Sequence, residues 1–176
     1  MKIAILRGIN VGGNSKILMA DLKLLFEGLG FSNITTYIQS GNVLFNSNIE
    51  NDVLADEIEQ AIKTTFGFDV PVIIRSPKEL EKAIEANPFY DAHTDVNKLH
   101  LTFLKEQPPA ENQQQIEPYT YEPDKFVIDG KEVFIFCENK YHESKLTNAF
   151  FEKKLQVGAT TRNWKTVLKL MELAKQ

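Results

Sequence analysis

The chain has one cysteine, one tryptophan, three histidines and no apolar run near the roughly 20 residues that cross a bilayer. Each shortage excludes something. A lone cysteine, Cys137, rules out an intramolecular disulfide and predicts a reducing, cytoplasmic setting. It ends an apolar run and reads as a core residue, because a reactive thiol needs an electropositive, partly exposed place. His93, His100 and His142 show no metal-ligand spacing with one another or with Cys137, so no metal is expected. Met1-Lys2-Ile3-Ala4-Ile5-Leu6 is too short for the apolar region of a signal peptide, and Arg7 follows at once. No membrane segment is expected. The G-x-G-x-x-G fingerprint of a dinucleotide site is absent. Gly8 and Gly13 have P-loop spacing, but Asn14-Ser15 stand where Lys-Ser/Thr is required, and no apolar strand ends in an aspartate for magnesium. No cofactor is expected.

What remains is ordinary globular material. With 176 residues, 43% hydrophobic and 25% charged, the chain suits one compact domain or two small subdomains. The net charge of −4 argues against a dedicated nucleic-acid binder. It hides an uneven distribution. Residues 76–139 carry 6 basic and 13 acidic side chains, a balance of −7, and residues 140–176 carry 8 and 3, a balance of +5.

Apolar periodicity predicts a strand over residues 2–6, a helix over 19–29 stopped by Gly30, and strands over 32–38 and 43–45 around Gln39-Ser40-Gly41-Asn42. A second helix over 52–66 and a strand over 70–74 complete the order βαββαβ, the split-βαβ pattern of ferredoxin-like folds. Residues 76–176 read as α-β-α-β-β-α-α, a related α+β unit without the last strand, with final helices over 144–155 and 161–175. Asp129-Gly130 marks a hairpin between apolar runs. The expectation is an α+β protein of two packed subdomains, 1–75 and 76–176. Most strands are apolar on both sides, as in sheets covered on both faces.

In a split-βαβ unit the first two strands run parallel and the third returns between them. The loop after the first strand and the turn between the second and third must then share one end of the sheet. Two amide- and glycine-rich segments converge there, Arg7-Gly8-Ile9-Asn10-Val11-Gly12-Gly13 and Gln39-Ser40-Gly41-Asn42, with Lys16 just beyond. Glycines permit positive φ and close approach of backbone N–H groups to a ligand, and Arg7 adds a bidentate grip on phosphate or carboxylate. The competing reading is that Gly and Asn merely make turns and Arg7 pairs with a carboxylate.

A second cluster lies near the C-terminus. Ser144 and Thr160 or Thr161 read as N-caps, which places Lys145 and Arg162, with Asn163, in first helical turns where a cation opposes the macrodipole unless an anion is bound. The competing reading sends both side chains to surface carboxylates. Trp164 reads as core. Ser40 and Ser144 are nucleophile candidates only beside a base, for which His142 is the sole candidate, so no catalytic residue is assigned.

These segments together resemble a bacterial family catalogued as a domain of unknown function, number 1697. The matching residues are Leu6-Arg7-Gly8-Ile9-Asn10-Val11-Gly12-Gly13 with Lys16, Tyr37-Ile38-Gln39-Ser40-Gly41-Asn42-Val43, Ser144-Lys145-Leu146 and Thr160-Thr161-Arg162-Asn163-Trp164. The resemblance implies an α+β fold of two subdomains and supplies no activity. The leading expectation is a small anionic, phosphorylated or nucleotide-like ligand held by Arg7, Lys16 and the two loops, with Lys145 and Arg162 as further contacts. The rival is a single-stranded nucleic-acid or protein-interaction module built on the basic C-terminal segment. The aromatic RNP signature that such a module needs is missing, since the third strand offers only Phe45.

Overall fold

Ile3, Ala4, Ile5 and Leu6 are all fully buried, which only a strand at the centre of a sheet achieves over successive residues. Lys2–Leu6 (β1) pairs antiparallel with Asn42–Asn46 (β3) on one side and with Val72–Arg75 (β4) on the other. Ser32–Tyr37 (β2) joins β3 from outside, giving the order β2-β3-β1-β4. The computed structural model describes residues 1–13 and 15–176 of the chain; Asn14, set against the P-loop pattern above, lies outside the described residues.

Two helices complete this sheet. Met19–Gly28 (α1) buries Leu22 and Phe26, one helical turn apart, and stops where Gly30 takes φ +82°. Asn51–Phe66 (α2) buries Leu54, Ala55, Ile58 and Ile62. Asp52 in its first turn and Lys63 in its last suit the macrodipole, and Gly67 at φ +77° donates to the Lys63 carbonyl to close it. Their apolar faces meet Ala4, Leu6, Val43, Phe45, Val72 and Ile74 in one core. The element order is βαββαβ, the split-βαβ arrangement. The outer strand β2 is interrupted: its register shifts between Ser32 and Thr35, where Asn33 takes φ +52°.

The chain folds as two compact units, one of Met1–Glu81 with Leu170–Gln176 and another of Lys82–Lys169. After Pro77–Ala86 (α3), which stops before Asn87-Pro88, come Leu99–Leu104 (β5), Ala110–Ile116 (α4), Lys125–Asp129 (β6) and Glu132–Phe136 (β7). Asn148–Leu155 (α5), Ala159–Asn163 (β8) and Trp164–Ala174 (α6) follow. The β6–β7 hairpin turns at Gly130, φ +58°, and Lys131. The second sheet has the order β6-β7-β5-β8, again wholly antiparallel. Its core joins Leu104, Val133, Ile135, Phe151 and Leu155, with Cys137 buried among them.

The C-terminal segment differs from the sequence expectation in three places. The helix expected from Ser144 begins at Asn148, because Thr147 is the residue whose hydroxyl accepts the Phe150 N–H, at 3.2 Å. Ser144 itself is extended (φ −74°, ψ 151°) after a 3-10 turn at Tyr141–Glu143. Thr160 and Thr161 are not N-caps either. They sit in β8, paired with Phe103 and Thr102, and the cap of α6 is Asn163, whose Oδ1 accepts the Thr166 N–H at 2.8 Å. Neither Lys145 nor Arg162 therefore occupies a first helical turn. With β8 in place the second unit contains the fourth strand that its sequence did not reveal.

Candidate functional site

The sheet itself brings the two loops together. Leu6 ends β1 opposite Val72, while Asn42 opens β3 opposite both Ile5 and Tyr37. The loop after β1 and the β2–β3 turn are thus at one end. They touch: the Leu6 N–H donates to the Gly41 carbonyl at 2.8 Å, and Asn10 Nδ2 donates to the Gln39 carbonyl at 2.9 Å.

Asn10 is the strut between them. It sits at φ +57°, a conformation Asn tolerates better than most residues. Its Nδ2 also donates to the Ile17 carbonyl at 2.9 Å, its Oδ1 accepts the Ile17 N–H at 2.9 Å, and its own N–H donates to the Ser15 carbonyl at 3.2 Å. Both amide hydrogens are therefore spent on the loops. Asn42, wholly buried, does the same for the turn: Nδ2 donates to the Tyr37 carbonyl at 3.1 Å and to Ser40 Oγ at 3.2 Å.

Gly41 allows the crossing to be tight. At φ +80° it leaves no room for a side chain, since a Cβ would lie 2.6 Å from Ile9 Cδ1 and 2.9 Å from Leu6 Cβ. Gly8, Gly12 and Gly13 differ. They take φ +71°, +61° and +81°, are exposed, and have open space beside them. Their N–H groups take part in no hydrogen bond among the described residues. Arg7, half-buried at the foot of the loop, donates its N–H to the Pro71 carbonyl at 2.9 Å. Lys16 and Gln39 are exposed and Ser40 is half-buried. Ile38, a β-branched residue at φ +52°, is a conformational outlier that costs about 1–3 kcal/mol, stored at the tip of the turn.

The C-terminal candidates belong to the second unit. Ser144 Oγ accepts the Leu146 N–H at 3.2 Å and bonds the Cys137 thiol. Burial pushes that thiol up to about 11, the setting of an inert cysteine. Exposed Lys145 has its Nζ 5.7 Å from the Tyr121 ring centroid, and Ser144 and Lys145 both line a cavity of about 380 Å³. Arg162 is buried in β8, where its Nη1 donates to the Thr161 carbonyl at 3.0 Å and desolvation lowers its pKa to about 10. Asn163 is exposed and used as a cap. His142 reaches Glu143 at 3.7 Å, and among the described residues no hydrogen bond joins it to Ser144. Among the described residues no three His, Cys, Asp or Glu side chains gather to hold a metal, and no helix is long and apolar enough to cross a membrane.

Residues 1–134, which include both loops, match the family described as "Protein of unknown function (DUF1697)". The chain belongs to this family. It is also similar to the solved structure of the conserved bacterial protein SP0830 from Streptococcus pneumoniae, with a TM-score of 0.78 and 22% identity over 98% of this chain and 97% of that one. At that identity the likeness is one of fold. No curated protein matches.

In this DUF1697 protein the sequence reading missed one polar cluster. Thr161 Oγ1 donates to Asn148 Oδ1 at 2.6 Å and accepts from Tyr141 OH at 3.1 Å. Its one hydrogen is used, so the 2.7 Å contact with Thr102 Oγ1 must be donated by Thr102. Tyr141 stacks on His100 at 4.5 Å between centroids. Burial lowers the His100 pKa to about 4, against a hydrogen bond at Lys98, and pushes the Tyr141 phenol upward. The hydroxyls hold β5, β8, α5 and the 3-10 turn together.

Proposed function

We propose that the protein binds a small anionic ligand on the paired loops of its first unit, with the backbone of Gly8, Gly12 and Gly13 as donors and Arg7 and Lys16 supplying positive charge. The carrying observation is the division of labour within the loops. Asn10, Asn42 and Gly41 are consumed in holding the two segments against each other, while the left-handed glycines remain open to solvent with their N–H groups uncommitted among the described residues. Backbone in which left-handed residues alternate with others, as Gly8, Asn10 and Gly12 alternate with Ile9 and Val11, turns successive N–H groups toward one concave side, the arrangement that cradles phosphate or carboxylate oxygens. An aspartate in place of Asn10 could not brace the loop, because a carboxylate has no hydrogen to donate to the Ile17 and Gln39 carbonyls, and it would add negative charge beside Arg7 and Lys16.

A macromolecular partner is the second reading. It is favoured by the exposure of Val11, Leu18 and Ile38, at 63%, 57% and 44%, around the same loops. Stacking of single-stranded bases on the sheet has no such support, because Phe45 is wholly buried.

The test is a thermal-shift panel of inorganic phosphate, nucleotides, sugar phosphates, carboxylates and short single-stranded RNA, run on the wild type, Arg7→Ala and Lys16→Ala. A ligand present at 100 times its dissociation constant adds about 2.7 kcal/mol of stability. A shift seen in the wild type and lost in the variants supports the loop site and gives its ligand class. Flat curves for every anion, with the variants folded, refute it. A shift with RNA alone, falling steeply with salt, supports the second reading.

A further inference from the structure

We propose that the second unit carries a separate site for an amphipathic organic cation, in a cleft of about 550 Å³ lined by α4, residues 117–124 and β6. Its size lies in the range of small-molecule pockets, roughly 300–1,000 Å³. Tyr119, Tyr121, Phe126 and Phe89 contribute rings, and Ile116 and Ile128 add aliphatic surface. Such a wall takes an apolar or aromatic ligand body.

The sign of the ligand follows from the rim. Glu117, Glu122 and Asp124 line the cleft with Lys125, and Lys145 and Lys154 lie beside its tyrosines. Asp124 Oδ1 accepts the Glu138 N–H at 3.0 Å, but the Glu117 and Glu122 carboxylates make no hydrogen bond or ion pair among the described residues. They are exposed and free to receive a cation. The cleft also lies within the acidic stretch 76–139, whose balance of −7 serves nothing in the loop site.

The rings themselves are engaged with ammonium groups. Lys154 Nζ stands 3.8 Å from the Tyr119 centroid and bonds its hydroxyl, and Lys145 Nζ stands 5.7 Å from the Tyr121 centroid. Neither lysine lines the cleft, so the ring surface that does is open to a ligand cation within about 6 Å. Aromatic walls with unpaired carboxylates at the rim are the chemistry that recognises alkylated ammonium ions.

The experiment titrates the full-length, isotope-labelled protein with phenyltrimethylammonium, its neutral isostere tert-butylbenzene, and benzoate, following amide chemical shifts. The expected result is a saturable shift confined to residues 113–128 and their neighbours with the ammonium ion, and none with benzoate. Glu117→Gln/Glu122→Gln removes two exposed charges without touching the core and should weaken ammonium binding at least fivefold. Tyr119→Leu, at a position 38% exposed, should weaken it comparably. Equal binding of the neutral isostere, unchanged affinity in the double variant, or no saturable shift each overturns the proposal. So does binding of a lysine-rich peptide in the absence of any response to the small cation, which would identify a protein partner. Resonances of residues 8–13 serve as an internal reference, because a response there reports the loop site instead.

Discussion

Replacing Gly41 with alanine should destabilise the first unit far more than the same change at Gly12 or Gly13. All three positions have φ between +61° and +81°, where an L side chain costs about 1–2 kcal/mol. Alanine also stiffens the unfolded chain, which returns about 0.4–1 kcal/mol. At Gly12 and Gly13 nothing lies within 4 Å of the added Cβ, so the net loss is about 1 kcal/mol. At Gly41 the Cβ would also meet Ile9 Cδ1 at 2.6 Å, Ile9 Cγ1 at 2.9 Å and Leu6 Cβ at 2.9 Å. Ile9 can rotate only within a filled core, and Leu6 Cβ is fixed to the central strand, so overpacking adds about 1–3 kcal/mol. The total is about 2–4 kcal/mol, a large share of the roughly 5–15 kcal/mol that holds a typical domain. Urea unfolding should be followed by resonances of the first unit, because Trp164, the single tryptophan, belongs to the second. Equal losses at Gly41 and Gly13 would refute the reasoning and show that the crossing yields freely.

Four further outcomes follow from the same geometry. Asn10→Ala removes three side-chain hydrogen bonds and should cost about 2–3 kcal/mol, read as a lower urea midpoint; a loss under about 0.5 kcal/mol would mean the loops hold without the strut. His100 is neutral when folded, with a pKa of about 4 against 6.5 unfolded, so the unfolded chain takes up the proton first and stability falls as pH drops from about 6.5 to 4. The loss approaches about 3 kcal/mol at the acid end, and His100→Gln should flatten that slope relative to the wild type in urea titrations at about pH 7.5 and 4.5. Asn163→Ala removes the cap of α6 and should cost about 0.5–2 kcal/mol, whereas Ser144→Ala, no longer a cap candidate, should leave α5 helicity unchanged by NMR. Cys137 should react with a thiol reagent only after denaturation; fast labelling of the native protein would contradict its burial.

The loop pair was legible in the sequence because topology carries it. Once the order βαββαβ is recognised, the two glycine-rich segments have one end of the sheet to share, and the Asn10 to Gln39 hydrogen bond makes the contact. The polar C-terminal segment was not legible. Ala159-Thr160-Thr161-Arg162-Asn163 has no apolar alternation, and a buried strand with arginine in it is hidden from any pattern of hydrophobicity. Ser144 and Thr147 are equally good caps by residue type, and Leu146, buried ahead of α5, mimicked helical spacing. The Thr102–Thr161 contact joins residues 59 apart, beyond the reach of local pattern. The cleft beside β6 was likewise invisible, since its walls come from residues 89 to 128.

The break in β2 bears on how this protein behaves at high concentration. An outer strand presents a row of unclaimed backbone donors and acceptors to any neighbouring molecule, and a straight one invites a second copy to zip onto it. In β2 the register jump around Asn33 throws that row out of step, and the strand's sequence, Ser-Asn-Ile-Thr-Thr-Tyr, offers little grease to a newcomer. Removing Asn33 would restore an even strand with its hydrogen-bonding edge aligned. The folded chain would then offer a straighter edge, the kind on which a second copy can pair.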